Sequence, residues 1–533
     1  MQTKHSSLHS RNPQLRLNSR REFLADVGRG MLIGGVGSSL AFDLGLTPAF
    51  ADDGPGRLNF GKLEPLVAMM QDLPVRKLQK RLVDKLNSGT ELKTLIAAGA
   101  LANARTFGGQ DYVGYHTLMA LAPAYEMARE LPEPMRPLPV LKVLYRNSNR
   151  IQQFGGRKKE VLRPVEPAAL GQAAGDDPLR SMTRTADMNR AESTFAAMTR
   201  QSVGEAYNHL QYAVQDEVDV HRVVLSWRAW ALLDFTGAEQ AHTLLRQSVR
   251  YCVNTEKNRR RNNHGEAKVR SVLPKLLDEH RLLDRKLGKR KGDESWIRDL
   301  SQVVFAGSRE EAAGAVAAAL AEGYDPEQVG EAMSLAANQL LLSDPGRDKK
   351  RASNYNGKKP VGSVHGDSVG VHASDAINAW RNIALVSNHR NTVASLIVGA
   401  YHTGGQSGRA TAKLHPHPEQ LEKISDSDPK TLLKNADGAI REKDQARVAA
   451  IVHRYGEQGH DARAMFDLLL RYTTSEFGAL HAEKYYRTVT EEFALTRPAF
   501  RWRQLVGLGR VMASSYGNTA AGHNEARQLL GLA

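Results

Sequence analysis

The chain has 533 residues, with 73 Lys and Arg against 58 Asp and Glu, a net charge of +15, and one cysteine, Cys252. The length accommodates one large core or two domains. A lone thiol excludes an internal disulfide and any cysteine-based zinc or iron–sulfur site, so packing and side-chain polar contacts must hold the fold.

Residues 19–24 read SRREFL, followed by the glycine-rich, weakly apolar GMLIGGVGSSLAF (30–42) and by Ala49-Phe50-Ala51 ahead of Asp52-Asp53. A charged start, an apolar core and an A-x-A site are the parts of an export signal. Paired Arg20 and Arg21 before a core of low hydrophobicity resemble a twin-arginine (Tat) signal. The resemblance covers residues 19–51. It implies use of the Tat translocon, export to the periplasm or beyond, and folding before the crossing, often with a cofactor already loaded; slow cleavage would leave a tethered precursor. Gly34, Gly35 and Gly37, bracketed by Asp26, Arg29 and Asp43, argue against a stable membrane span. Residues 1–51 hold six basic and three acidic side chains, so the chain from Asp52 carries +12.

Beyond Asp52 the apolar spacing is helical almost throughout. VRKLQKRLVDKLNSG (75–89) aligns Leu78, Leu82 and Leu86 on one stripe and stops at Gly89; ELKTLIAAGALANA (91–104) follows. REEAAGAVAAALAEG (309–323) ends before Asp325-Pro326, a stop and restart, and EQVGEAMSLAANQLLL (327–342) continues. DGAIREKDQARVAAIVHRYGEQG (437–459) reads as one helix paired with DARAMFDLLLRYTTSEF (461–477). Pro-rich 131–139 and 160–178 read as connectors, and the basic stretches 254–263, 285–293 and 346–360 interrupt the pattern, the last as a long loop. The fold class is all-α.

Internal similarity suggests how the helices are organised. The pattern D-x-V-x-[VY]-H occurs at Asp111–His116, Asp216–His221 and Asp367–His372, the last inside HGDSVGVH (365–372). Each copy opens a helix, and Tyr145, Tyr251 and Tyr401 lie 29, 30 and 29 residues after their histidines. A weaker fourth copy is Glu476–His481, ending near Tyr516. The chain therefore divides into a signal (1–51), three repeat regions (52–160, 161–300 and 301–425) and a C-terminal region (426–533) with the fourth copy. Helical hairpins that bury one another's faces would form an α-superhelix or a closed helical toroid. In such an array the repeat histidines would share a row or ring.

Two chemistries follow. A metal site would draw on His116, His221, His365 and His372, with His481 a further candidate and Asp216 or Asp367 completing the shell. Imidazole suits a transition metal such as Zn, Fe, Cu or Ni, although the HExxH spacing is absent. An acid–base site would use His372 and His221 with Asp367, a tyrosine such as Tyr145, Tyr251 or Tyr401 as a donor, and Arg381 as an anion contact. No G-x-S-x-G elbow supports Ser363, Ser368 or Ser374 as a nucleophile. The bland alternative is that each aspartate caps a helix and each histidine fills a half-buried packing position. Trp227, Trp230, Trp380 and Trp502 read as core.

The expected function is an exported all-α repeat enzyme, a metal-dependent oxidoreductase first and a metal-free histidine hydrolase or lyase second. A small-molecule substrate goes with either. The contrasting reading is a helical-repeat scaffold whose basic loops hold an anionic envelope polymer. Nucleic acid is disfavoured by the export signal and by basic runs that lack interleaved aromatics.

Overall fold

Local signals account for most helix boundaries in the computed structural model, which describes residues 56–169, 177–350 and 359–532. Residues 19–51, expected to direct export, and part of the 346–360 loop lie outside these residues. Regular structure among the described residues is helical, apart from isolated bridges between Arg290 and Tyr324 and between Glu476 and Thr519. No helix among them is long and apolar enough to cross a membrane.

Val75–Asn87, Leu92–Phe107, Arg309–Ala321 and Pro326–Leu342 follow the apolar periods. Ser308 and Glu311 form a reciprocal capping box at the start of the third of these, and Asp325 caps the fourth. Three expectations are corrected. The span 437–459 is two helices, Pro429–Arg441 and Gln445–Glu457, because Lys443 turns left-handed (φ 60°) and Asp444 caps a new start. The basic run 254–263 continues a helix to Arg261, where last-turn arginines complement the carboxyl-end dipole. The connector 131–139 is shorter than expected, since Pro137 already opens a helix.

Eight helices frame the site, and we label them in chain order. They are α1 (Tyr112–Glu130), α2 (Pro137–Phe154), α3 (Val220–Ala231), α4 (Ala241–Arg261), α5 (Val369–Val386), α6 (His389–Thr403), α7 (Ala482–Leu495) and α8 (Pro498–Ser515). In each successive pair the second helix packs on the first. The odd-numbered helices also pack in a cycle: α1 on α3, α3 on α5, α5 on α7, and α7 back on α1. The helices that follow Asp111, Asp216, Asp367 and Glu476 therefore pack on one another in a cycle of four.

Two apolar cores meet at this ring. Ala373, Ala376, Ile377 and Trp380 of α5 belong to the core that runs from Phe60 to Ala410, whereas Val371 joins Leu341 and Tyr485 in the second. Gly370 lets α5 lie directly on the helix Pro326–Leu342. A Cβ there would fall 2.1 Å from Leu341 Cα, so no larger residue fits without moving α5.

Candidate functional site

His116, His221, His372 and His481 lie in the first turns of α1, α3 and α5 and at the N-cap of α7. Their rings form a cycle, with centroids 4.9 Å apart for His116–His221, 5.7 Å for His221–His372, 5.0 Å for His372–His481 and 5.1 Å for His481–His116. The fourth copy, weakest in sequence, thus completes the group.

Backbone and carboxylate contacts orient three of the rings. His116 Nδ1 lies 2.7 Å from Tyr112 O and His481 Nδ1 2.8 Å from Ala479 O. A carbonyl only accepts, so both imidazoles donate from Nδ1 and leave Nε2 as a bare lone pair. His221 Nδ1 lies 3.3 Å from Asp219 Oδ1, with the same consequence. The Nε2 atoms of His116 and His221 are buried without a hydrogen-bond partner among the described residues. His372 differs. Its Nε2 is 3.0 Å from His481 Nε2, so it donates there, and its Nδ1 has no hydrogen-bond partner among the described residues.

The shell around the ring is aromatic and charged. Tyr112 and Tyr115 pack against His116 and His221, with centroids 4.3–5.7 Å apart. Tyr251 of α4 donates its hydroxyl to Asp219 Oδ2 at 2.6 Å. Burial alone would raise the Asp219 carboxyl; hydrogen bonds and charge from His221, with the Tyr251 hydroxyl, outweigh it and hold the group low. Burial, reinforced by Lys484, keeps His116 and His481 well below the ordinary imidazole range; burial and then His221 take His372 to about 3. Lys484 is itself buried, makes no hydrogen bond or ion pair among the described residues, and is lowered to about 8 by burial.

His481 is held by strained backbone. Gly478, Ala479 and Leu480 have φ of 56°, 47° and 71°, and the carbonyl that orients His481 belongs to Ala479. Two consecutive non-glycine residues in the left-handed region cost about 1–2 kcal/mol each. Such strain concentrates at functional sites, where the surroundings over-determine it.

A cavity of about 240 Å³ reaches the ring at His372 and is walled by Asp219, Val369, His402, Gln406 and Arg409 among others. Of the four ring histidines only His372 lines it. Among the described residues, no group of three or more His, Cys, Asp or Glu side chains is arranged as a ready metal cage. As it stands the ring is four imidazoles packed on one another.

Several residues singled out in the sequence lie elsewhere. His365 is buried with Nδ1 2.7 Å from Ser514 Oγ of α8, so it docks its loop instead of joining the ring. Asp367 is taken by Arg347 and by Lys359 Nζ at 2.7 Å, so it does not orient His372. Asp216 pairs with Arg180 and Arg184 at 2.7 and 2.6 Å. Arg381 ties α5 to Glu492 of α7 and to Glu327. Tyr401 lies beneath Arg309, 5.6 Å from its guanidinium, and Tyr145 packs on Gly522, so only Tyr251 of the three repeat tyrosines reaches the site. Of the three pattern aspartates only Asp111 caps its helix, accepting from Gly114 N at 2.7 Å. Asp219 caps α3 and Ser368 caps α5.

The sequence reading missed Asp219, Tyr112, Tyr115 and the pair Gln406 and Arg409. For Asp219 the signal is its position two residues before His221, where one side chain can cap the helix and reach the imidazole. The chain matches no family model, no curated protein and no solved structure.

Proposed function

We propose that the four-histidine ring binds one transition-metal ion and that the protein is an exported metalloenzyme acting on a small molecule, an oxidoreductase in the first instance. The observation that carries this is the orientation of the imidazoles. Three of them spend Nδ1–H on a carbonyl or carboxylate; the Nε2 atoms of His116 and His221 are then buried without a partner among the described residues, and that of His481 meets the Nε2 of His372. Metal-ligating histidines have this arrangement, with the outer partner fixing tautomer and ring angle. A buried lone pair with no donor is otherwise costly, and here two occur side by side.

One of the four contacts lies close to what an ion requires. Metal–nitrogen bonds of about 2.0–2.1 Å place tetrahedral ligand nitrogens about 3.3 Å apart, and the His372–His481 pair stands at 3.0 Å. Because no three of the rings form a ready cage among the described residues, binding would require them to turn their Nε2 atoms toward one point, with the His372 proton moving from Nε2 to Nδ1. An all-imidazole set suits Zn, Cu, Fe and Ni. A bound ion would supply Lewis-acid or redox chemistry beside the cavity. The twin-arginine resemblance, which goes with export of folded and often cofactor-loaded chains, tilts the choice toward a redox ion.

The close His372–His481 contact also supports a second reading, in which the rings share a proton and pass it to the cavity without a metal. In the scaffold alternative the anionic partner would be held by basic residues other than Arg347 and Lys359, which Asp367 engages. Elemental analysis of folded protein, grown with Zn, Fe and Cu supplied, tests the proposal. About one ion per chain, lost in H116A and H481A variants that keep their helical circular dichroism, is expected. Metal-free wild type that also gives no heat on titration with any of the three ions would reject the metal and leave the proton relay.

A further inference from the structure

We infer that the cavity at His372 is a subsite for a small carboxylic acid with a compact apolar body, whose carboxylate Arg409 and His402 receive. The inference rests on the reading of the ring as a reactive centre and names what that centre acts on.

The polar groups of the cavity can be counted as donors and acceptors. Trp380 Nε1–H donates to His402 Nδ1 at 3.4 Å, so the neutral His402 carries its proton on Nε2, which has no partner among the described residues. Gln406 donates from Nε2 to His402 O at 2.6 Å, which fixes that side chain against the helix end. Arg409 is exposed at the rim and makes no ion pair or side-chain hydrogen bond among the described residues. Asp219 is the one acid on the wall, and its oxygens already accept from the Tyr251 hydroxyl and from His221 N at 2.8 Å. The open donors are therefore His402 Nε2–H and the Arg409 guanidinium, which carries the one unpaired positive charge on the wall, and the open acceptors are Gln406 Oε1 and His372 Nδ1. A guanidinium and a carboxylate match as two parallel charge-assisted bonds. Val218, Val220, Val369 and Ala373 supply the apolar lining of the same cavity, which His372 shares. An acid seated this way would present its body to the one ring histidine whose Nδ1 is uncommitted.

Benzoate and benzamide, alike in shape and different in charge, are the probes, and isothermal titration calorimetry is the measurement. The samples are wild type, R409Q and R409K, with metal content determined on each. Benzoate should bind wild type at least tenfold more tightly than benzamide, as expected for one charge-assisted contact. R409Q should remove most of that preference at unchanged metal content, and R409K should restore part of it. Equal affinities for the two probes in wild type, or an R409Q protein that retains the preference, would overturn the subsite. Stoichiometric metal without a benzoate preference removes the subsite and leaves the metal centre. An Arg409-dependent preference in metal-free protein removes the metal centre and leaves the subsite.

Discussion

The ring histidines and the aspartates that precede them five residues earlier recur together in the sequence, yet the structure uses them in opposite ways. His116, His221 and His372 come together in one ring and are joined by His481. Asp111 caps α1 and pairs with Arg150, Asp216 anchors Arg180 and Arg184 of another helix, and Asp367 ties down a loop through Arg347 and Lys359. A residue at or near the start of a helix points where the helix packing sends it, and the cyclic packing of α1, α3, α5 and α7 sends four such side chains to one place. A residue before the helix points where the preceding loop allows, and these loops differ. Recurrence in sequence therefore indicates shared placement only for the part of the pattern that lies inside shared geometry.

Breaking the ring should have the largest effect. Alanine at His116, His221, His372 or His481 removes one of four ligands from the proposed site, and metal retained after dialysis should fall by more than about 100-fold in affinity, since even outer-shell losses cost about 10–100-fold. Asp219→Asn tests that outer shell, because it weakens the contact that orients His221. A loss of about 10–100-fold in metal affinity is expected, read by competition with a chelator. Asp367→Asn, the change that the sequence pattern alone would favour, should leave metal affinity unaltered.

Asp216→Asn should instead act on stability. Its carboxylate is 1% exposed and holds two arginines, and removing one partner of such a buried group costs about 3–5 kcal/mol, measurable by urea unfolding. The same group sets an acid limit. Burial would raise the Asp216 carboxyl, but hydrogen bonds and charge from Arg184 and Arg180 hold it below its ordinary value. A lowered folded pKa means that its contribution is complete above the unfolded value near 3.9 and is lost as pH falls through the folded one. Wild type should lose stability below about pH 4, and D216N should lose less over the same interval, as thermal melts from pH 7 to pH 3 would show. Acid loss of equal size in both proteins would remove Asp216 from the account.

The smallest expected effect sharpens the contrast between position and strain. Ala479→Gly relieves one left-handed residue and should stabilise the fold by about 1 kcal/mol. If the strained turn serves to aim His481, the same change should weaken metal retention while the melting temperature rises.

The sequence by itself determined the helical class, because apolar period, caps such as Asp325 and stops such as Gly89 act within a few residues of chain. It also named all four ring histidines, since each lies at or near a helix start. Only the tertiary structure decided that His365 leaves its neighbour His372 to dock on Ser514, that Tyr251 and not Tyr145 or Tyr401 reaches the site, and that Asp219 replaces Asp216 beside the imidazole. Each of those choices depends on which distant segment supplies the partner. No local period or capping preference encodes that, and the cavity beside His372, built from three separate stretches of chain, exists only once they are packed together.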